Sequence, residues 1–461
     1  MSNNFDAAAW VDQHSIRTVR AETLSLDGVL IGKHLAPQKF ISGAHGGGFS
    51  FADIVFGVDM ANIPQLGFDF GDWRGELRDI QLRPDPSTLV VDPSLDGLGS
   101  VLCDITDQNG VPLPVCSRST LKRMVEELAA RGYTGKAAIE IEATVFEESI
   151  EQARAQDFKN LHPLGGSSGA VYVLSRSRDF TEYMDAVARR LDELGIPWEG
   201  WADESSIGQI EFNISPTDIV TAADLYVRTR QAMRTVAYEL GRTVTFMARW
   251  APDQYGQGSH INLSLERDGV NAFHNPDNPH RPSQAMTDFI GGVLATLPAA
   301  TTFQFPTINS YKRIVELDGP PTSITWGVEN KSTAVRAICR DAKQTRVEYR
   351  VTSADVNIYL AFAAFLAGGI IGLDQHIDPG PECSVMAWGL PAGTVPKIPT
   401  SLSAATDILV ADTLLSKVLG ADLVDYWAGT RRWEWLQFHT TGGDPDAGIS
   451  DWELQRYFEH I

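Results

Sequence analysis

The sequence predicts an α+β protein. A small domain with a curved antiparallel sheet, residues 1 to about 110, precedes a larger domain, residues 111–461. Two observations support this fold class. Apolar and polar residues alternate over residues 15–40 around a central Asp-Gly turn, which is typical of a β-hairpin. Strand-like and helix-like patterns then interleave, and residues 355–461 are mostly helical in pattern with apolar faces.

The individual elements follow from local signals. Residues 66–93 are rich in Gly, Pro and Asp, which indicates loops between short strands. Ser119–Gly132 has a serine cap, an apolar stripe and a stopping glycine, so we expect a helix. Residues 222–240 have apolar residues at helical spacing, with Asp218 as the N-cap and Gly241 as the stop. Two further helices are predicted at residues 178–195 and 281–300.

Composition excludes several classes of protein. The chain has 461 residues, 43% of them hydrophobic, and a net charge of −21, which argues against nonspecific nucleic-acid binding. We expect no membrane segment, because no apolar run approaches about 18 residues. The N-terminus lacks the blocks of a signal peptide. The four cysteines are far apart and form no CxxC motif, so we expect free thiols in a cytoplasmic protein.

A strand-like run, AAIEIEATVF, contains Glu140 and Glu142. Residues two apart on a strand face the same side, so these carboxylates repel each other unless a cation lies between them. The alternative is an exposed edge strand with its acidic residues in solvent.

A second acidic group surrounds the predicted helix at residues 222–240. Glu204 and Glu211 precede it, and His260 follows it on a polar strand pattern. The helix would return the chain so that two strands bring both carboxylates and the imidazole into one site. Oxygen ligands with one imidazole suit Mg²⁺ or Mn²⁺ better than zinc.

Basic residues concentrate in residues 306–350. Arg346, Glu348 and Arg350 alternate on a strand pattern and therefore share one face. Two interpretations remain open: a solvated ladder of charges, or arginines that bind a phosphate and a carboxylate while the glutamate holds a metal.

Taken in order, these segments resemble the glutamine synthetase family. The matching motifs are EIE at 140–142, ESSIGQIE at 204–211, GSHINLSL at 258–265, NSYKR at 309–313, NKSTAVR at 330–336 and RVEYR at 346–350. DGVLIGK and LRPDPSTLVVDP resemble the family's N-terminal β-grasp domain. The resemblance implies a catalytic domain with a curved antiparallel sheet backed by helices. It also implies a homo-oligomer of stacked rings, such as a dodecamer, with sites at subunit interfaces.

The resemblance also implies residue roles. Two or more divalent ions would be bound, one by Glu142, Glu204 and Glu211 and a second by Glu140, His260 and Glu348. Arg313, with the Gly256 backbone nearby, would bind the α-carboxylate of L-glutamate, and Arg350 would hold its γ-carboxylate. The residues implied at ATP are Arg336 and Arg346 at the phosphates and Asn262 and Ser264 at the nucleotide.

The chemistry implied has two steps. ATP phosphorylates the γ-carboxylate of glutamate while metal ions and arginines screen the repulsion between the two anions. A neutral amine then attacks the γ-glutamyl phosphate and gives an amide, ADP and phosphate.

Several positions depart from the pattern of ammonia-using members. The segment VDMANIPQLGFDFGDW contains no FDGSS-type aspartate, and Gly319 stands where a glutamate follows NSYKR by six residues. Lys331 replaces a usual arginine near phosphate, and Tyr255 replaces an asparagine near glutamate's amino group. Glu316 and Asp318 lie in the same loop as Gly319. They could steer the amine or take its proton, or they could be ordinary loop acids.

These departures favour an ATP-dependent ligase that forms a γ-glutamyl amide from glutamate and an organic primary amine. A small monoamine such as ethanolamine is preferred, and polyamines and aromatic amines remain alternatives. A true glutamine synthetase that uses ammonia is the second hypothesis. A catalytically inactive relative is the third, although clustered carboxylates would be costly without a metal.

Overall fold

The computed structural model describes residues 5–65, 78–166 and 171–461. The predicted hairpin near the N-terminus is confirmed, since β1 (Thr18–Leu24) pairs antiparallel with β2 (Leu30–Leu35). Gly28 in its turn has φ +81°, a conformation that glycine adopts without steric cost. The other elements of this part are α1 (Ala7–Gln13), α2 (Pro37–Gly46), β3 (Phe49–Ala52), β4 (Asp79–Pro84), β5 (Val90–Asp92) and β6 (Leu98–Thr106).

The N-terminal sheet is mixed. Its strand order is β2-β1-β6-β4-β3, with β5 paired to β6. β1 and β6 run parallel, so the prediction of a purely antiparallel sheet is wrong for this pair. The long excursion through the intervening elements supplies the crossover that parallel pairing needs. A mixed sheet of this kind agrees with the expected β-grasp arrangement. The segment that lacks the FDGSS-type aspartate lies partly outside the described residues, which resume at Arg78.

A ten-stranded sheet forms the centre of the larger part. Its order is β14-β15-β16-β12-β7-β9-β8, with β10 and β11 also paired to β7 and β13 paired to β12. All of these pairs are antiparallel except β14 with β15. The strands are β7 (Thr134–Phe146), β8 (Trp198–Asp203), β9 (Gln209–Ile214), β10 (Thr217–Asp218), β11 (Thr243–Thr245), β12 (Ile261–Arg267), β13 (Val270–Asn271), β14 (Trp326–Val328), β15 (Val335–Ile338) and β16 (Arg346–Tyr349).

The other regular elements of the larger part are helices. They are α3 (Ser117–Ala130), α4 (Ile150–Ala155), α5 (Leu174–Ser177), α6 (Thr181–Glu193), α7 (Ile219–Glu239), α8 (Gln284–Gln304), α9 (Ile308–Tyr311), α10 (Ile358–Gln375), α11 (Leu402–Ala411), α12 (Leu414–Leu419), α13 (Ala421–Thr440) and α14 (Asp451–Tyr457). The signals predicted for α7 are confirmed: the Asp218 carboxylate accepts a hydrogen bond from the Thr221 amide, and Gly241 has φ +66°.

The predicted start of α3 is wrong. The helix begins at Ser117, two residues before the predicted cap. Cys116 already has extended cap geometry, and its carbonyl accepts the first helical hydrogen bond, from the Thr120 amide at 2.9 Å. Ser119 therefore lies in the first turn. The predicted stop is confirmed, because Gly132 has φ +78° just beyond the helix.

Helices α8 and α10 pack closely in the core. A Cβ atom at Gly292 of α8 would collide with the backbone of Gly368 and Gly372 of α10, so glycines on both helices permit this contact. α10 is long and apolar enough to cross a membrane, so the expectation that no apolar run approaches that length is wrong. Since 83% of α10 is buried inside the protein, its composition is that of a core helix.

Buried ion pairs join the N-terminal part to the helices of the larger part. Arg431 of α13 contacts the Asp27 carboxylate in the β1–β2 turn. Arg456 of α14 contacts Asp59 at 2.9 Å and Glu434 at 2.6 Å, and all three side chains are almost completely buried. The division of the chain near residue 110 stays a prediction, although these contacts show how the two parts are held together.

Candidate active site

Strand register brings the acidic motifs together. Alternation along β7 buries Ile139, Ile141 and Ala143 on one face, so Glu140 and Glu142 project from the other. Glu142 lies opposite Glu211 of the neighbouring strand β9. On the other side of β7, His260 comes immediately before β12. The alternative of an edge strand with solvated acids is therefore wrong, because β7 is central in the sheet.

One group of possible metal ligands consists of Glu140, His260 and Glu348. His260 Nδ1 lies 2.7 Å from a Glu140 oxygen and 3.9 Å from a Glu348 oxygen. One ligand atom from each residue lies within 4.8 Å of the other two. This group has the same three members that the resemblance implies for the second ion.

A second group meets the same criterion and consists of Glu142, Glu211 and His260. The resemblance implies Glu204 rather than His260 beside these two glutamates. Glu204 follows β8 and lines the same cavity, but it is not a member of the group. The two groups share the His260 ring and together contain five of the six predicted ligands, and the sixth, Glu204, lines the same cavity.

The electrostatics of these groups favour the binding of a cation. Burial, with repulsion from Glu142 and Glu211, raises the pKa of Glu204 to about 8. Burial and neighbouring glutamates also raise the pKa of Glu140 and of Glu211 to about 7. Burial and nearby Arg350 lower the pKa of His260 to about 4, which leaves a neutral imidazole with a free lone pair at pH 7. Oxygen ligands that repel one another beside a neutral imidazole form a donor set suited to a divalent cation.

Glu348 differs from the other carboxylates because arginines surround it. Arg350 contacts one of its oxygens, and Arg336 Nη1 lies 2.8 Å from the other. Burial alone would raise the pKa of Glu348, but Arg350, His260 and Arg336 together lower it to about 2. The ladder of Arg346, Glu348 and Arg350 is thus not a solvated one, since Glu348 is 3% exposed.

Arg313 is a buried cation that forms no salt bridge with a carboxylate among the described residues. It is 2% exposed, and its Nη1 donates to the Val351 carbonyl at 3.2 Å. Its Nε is buried without a hydrogen-bond partner in the described part of the chain. Burial lowers the pKa of Arg313 to about 10. A Cβ atom at Gly256 would collide with the Arg313 side chain, so only glycine at this position allows Arg313 to lie where it does.

These side chains line a cavity of about 380 Å³. The predicted site residues that line it are Glu140, Glu142, Glu204, Glu211, Tyr255, Gly256, His260, Arg313, Asp318, Lys331, Arg336, Arg346, Glu348 and Arg350. Asn262 and Ser264 instead line an adjacent cavity of about 330 Å³, which shares Glu140 and Arg346 with the first. The Asn262 amide links the two, because it donates to Glu140 at 3.0 Å and accepts from Arg346 at 2.9 Å.

The two loop acids are placed differently. Asp318 lines the cavity and lies 3.1 Å from Arg249 Nη1. Glu316 is not among the lining residues. Its carboxylate accepts hydrogen bonds from Lys397 at 2.5 Å and from Thr322 at 2.7 Å. The structure therefore brings only Asp318 to the predicted site.

Some residues of the cavity were not predicted. Gln209 lies between Glu142 and Gly256, and its amide donates to Glu142 at 3.2 Å and to the Gly256 carbonyl at 3.4 Å. In the sequence, Gln209 lies between two predicted carboxylates in the ESSIGQIE motif, and this position could have identified it as a site residue. Val171, Tyr172 and Pro320 also line the cavity, and the VYVL run and the proline carry no catalytic signal in the sequence.

The chain is similar in sequence and in fold to known proteins. The family model described as glutamine synthetase, catalytic domain, matches residues 114–457. The chain is 30% identical over 453 residues to a glutamate–isopropylamine ligase from a Pseudomonas species, covering 98% of this chain and 97% of that one. It is 32% identical over 440 residues to type-1 glutamine synthetase 2 from Dictyostelium discoideum, covering 95% and 82%. The solved GmaS/ADP complex superposes with a TM-score of 0.82 at 24% identity, covering 94% and 96%, which shows the same fold.

Proposed function

This chain belongs to the glutamine synthetase family as an ATP-dependent γ-glutamyl ligase, and we propose that its acceptor is an organic primary amine rather than ammonia. The relatives include a ligase named for isopropylamine as well as glutamine synthetases, so similarity alone supports either acceptor. The residues of the cavity rim provide the support for the organic amine.

The observation that carries the proposal is Gly319. It lines the cavity, and a Cβ atom built on it would meet no atom within 4 Å. Ammonia-using members have a glutamate at this point of the motif, which accepts a proton from ammonium. Glycine removes that carboxylate and leaves open space at the cavity lining, and an organic substituent could occupy this space.

We propose that Glu142, Glu204 and Glu211 hold one divalent cation and that Glu140, His260 and Glu348 hold another. Enzymes of this family use ATP and divalent metal ions, and Mg²⁺ or Mn²⁺ suits these ligands. Such ions would neutralise the negative charge that accumulates where ATP meets the glutamate carboxylate. The neutral His260 ring and the ionised Glu348 are already in the protonation states that metal binding requires.

The arginines have separate proposed roles. Arg313 is buried and forms no salt bridge with a carboxylate in the described chain, so it would pair with the α-carboxylate of glutamate beside Gly256. Tyr255 would pack near the amino group of the bound glutamate. Arg350 would exchange part of its contact with Glu348 for the γ-carboxylate during phosphorylation. The residues proposed to contact ATP are Arg336, Arg346 and Lys331 at the phosphates and Asn262 and Ser264 in the adjacent cavity.

The attacking amine must be neutral, so it needs a group that accepts its proton or a hydrogen bond. Asp318 is the loop acid that lines the cavity, and Arg249 fixes its position. We propose that Asp318 orients the amine nitrogen. Glu316 had the same role in the sequence-based prediction, but its contacts with Lys397 and Thr322 direct its carboxylate elsewhere.

Phosphate release from ATP with L-glutamate and Mg²⁺ or Mn²⁺ tests the proposed acceptor. The panel comprises ammonia, ethanolamine, isopropylamine, putrescine, spermine and aniline, each as a full titration. We expect at least one organic amine to exceed ammonia in kcat/KM by tenfold or more. The highest value for ammonia would instead identify a glutamine synthetase, and no glutamate-dependent phosphate release with any amine would indicate an inactive relative.

A further inference from the structure

Asp355 is a buried carboxylate in the segment between β16 and α10, and it does not line the active-site cavity. It is 1% exposed, and its Oδ2 accepts hydrogen bonds from the Thr307 hydroxyl at 2.7 Å and from the Ser310 hydroxyl at 2.6 Å. Its Oδ1 is buried without a hydrogen-bond partner in the described chain. Two neutral hydroxyls supply no opposite charge, so the cost of burying this carboxylate points to a role for its charge.

The hydrogen bonds of Asp355 lead to Arg313. Thr307 and Ser310 form the capping box of α9, and the Arg313 amide donates to the Ser310 carbonyl at 3.2 Å just beyond that helix. In the opposite direction, Arg313 Nη1 donates to the carbonyl of Val351, which lies in the same segment as Asp355. Contacts in both directions therefore hold the segment of Asp355 against the segment of Arg313.

Arg313 and Asp355 are complementary in charge and in unused hydrogen-bonding capacity. Arg313 Nε is a buried donor and Asp355 Oδ1 is a buried acceptor, and neither has a partner in the described chain. The two side chains form no direct salt bridge, so the effect of Asp355 on Arg313 is exerted through space. Burial lowers the pKa of Arg313 to about 10, while the carboxylates of Glu142 and Asp355 act in the opposite direction.

Glu142 and Asp355 differ in what else their charges must do. Glu142 lines the cavity and is a proposed metal ligand, so a bound cation would offset much of its effect on Arg313. Arg350 lines the same cavity and repels Arg313. Asp355 has no competing role of this kind, so its negative charge remains available to Arg313 when the site is loaded.

We propose that Asp355 is a positioning residue for glutamate binding: its charge, held in place by two hydroxyls, keeps the Arg313 guanidinium oriented toward the α-carboxylate. This inference rests on the proposed function, and in particular on the role proposed for Arg313. Because Asp355 lies outside the cavity, it acts through Arg313 and does not touch the substrate. Loss of its charge should therefore weaken the binding of glutamate and leave the binding of ATP and of the amine unaffected.

Asp355→Asn tests the inference, because it removes the charge and keeps a side-chain oxygen that can accept from the Thr307 and Ser310 hydroxyls. In phosphate-release assays with the full chain, Mg²⁺ and saturating ATP and amine, we expect the KM for glutamate to rise about tenfold while kcat and the KM for ATP change less than about twofold. Calorimetric titration of glutamate into the Mg²⁺-loaded protein with ADP should show the same loss of affinity without any amine.

Asp224→Asn is the matched control, because Asp224 is another buried carboxylate, 6% exposed, that does not line the cavity. Its oxygens accept hydrogen bonds from Arg118 at 2.7 Å and from the Tyr359 hydroxyl at 2.7 Å. The substitution should lower the melting temperature and leave the KM for glutamate unchanged. A second comparison uses Arg313→Gln. Adding Asp355→Asn to that variant should raise the KM for glutamate by less than about twofold, since the residue through which Asp355 acts is already lost.

The outcomes separate this inference from the proposed function. An unchanged KM for glutamate in folded Asp355→Asn would overturn the inference, and so would an equal rise in Asp224→Asn or a fully additive loss in the double variant. If Asp355→Asn does not fold, Ser310→Ala removes one hydroxyl, keeps the charge and should raise the KM for glutamate about twofold to threefold. No change in that variant would also overturn the inference. A wild-type preference for ammonia would overturn the organic-amine proposal and leave this inference in place, since both reactions would bind glutamate through Arg313.

Discussion

At the scale of single residues, substitutions at Gly319 have two effects that can be measured separately: backbone strain and the charge of an added carboxylate. Its φ of +105° strains any other residue, so a side chain there has a conformational cost even though the space is open. Gly319→Ala carries this cost without a carboxylate, and Gly319→Glu carries both. The difference between the two variants therefore isolates the charge.

We predict that, relative to Gly319→Ala, Gly319→Glu shifts the ratio of kcat/KM for ammonia to that for the best organic amine toward ammonia by about tenfold, or about 1.4 kcal/mol. The added carboxylate favours a bound ammonium and fills space that an organic substituent needs. Phosphate release with both acceptors measures the ratio. An unchanged ratio would show that position 319 does not contact the amine.

The two loop acids give a second prediction at this scale. Asp318→Asn should raise the KM for the amine about tenfold and leave the KM for glutamate unchanged, because a carboxylate beside the amine site is lost. Glu316→Gln is the matched control and should change neither value, because Glu316 does not line the cavity. Equal effects of both substitutions would contradict the distinction that the structure draws between them.

At the scale of elements, the sequence patterns predicted the strands that hold the proposed metal ligands more accurately than the helix boundaries and side-chain partners around them. The alternation in AAIEIEATVF was sufficient to place Glu140 and Glu142 on one face of β7. The start of α3 was misplaced because Ser119 is a good cap by residue type, while Cys116 provides the actual cap geometry. Side-chain partners such as Arg249 with Asp318, or Lys397 with Glu316, depend on long-range packing that no local pattern encodes.

The crossing of α8 and α10 provides a prediction about stability. Gly292→Ala should lower the free energy of unfolding by about 3 kcal/mol, because the added methyl group collides with the backbone of α10 and must push the helices apart. Urea unfolding followed by circular dichroism measures the change. Gly46→Ala is the control, since Gly46 ends helix α2 with open space around its Cα, and it should be neutral or slightly stabilising. An equal change in the free energy of unfolding for the two variants would mean that α8 and α10 can move apart without cost.

At the scale of the whole molecule, the raised carboxyl pKa values couple folding to pH and to metal. Glu140, Glu204 and Glu211 have pKa values of about 7, 8 and 7 in the folded chain, well above those of unfolded glutamates. Between about pH 4.5 and 8 the folded state therefore binds protons that the unfolded state has released. The contribution of these groups to the free energy of unfolding falls as pH rises through this window.

A divalent cation replaces those protons, so its stabilising effect should grow as pH rises. We predict that Mn²⁺ raises the melting temperature more at pH 8 than at pH 6, and that binding at pH 7 releases protons. Differential scanning fluorimetry with EDTA or Mn²⁺ at each pH measures the first effect, and calorimetry in buffers of different ionisation enthalpy measures the second. Glu211→Gln should reduce both. A metal effect independent of pH would exclude titration of these glutamates.

The expected assembly is a separate prediction at this scale. By analogy with the family, we propose that the chain forms stacked rings in which a neighbouring N-terminal part completes each site. Light scattering after size exclusion should give a mass many times that of one chain. A monomer that retains full amine-dependent activity would contradict the shared-site arrangement.

The order in which the chain is made has a consequence for when this site first exists. The proposed ligands come from β7, the segment after β8, β9, the residue before β12, and β16, so they span from Glu140 to Glu348 along the chain. A ribosome must synthesise about three quarters of the protein before the last ligand emerges, and α10, which follows, must still be buried. Newly made chains thus contain the ligands proposed for the first ion, Glu142, Glu204 and Glu211, well before the ligand set of the second ion is complete. Binding of the second ion would therefore mark a late stage of biosynthesis rather than guide its beginning.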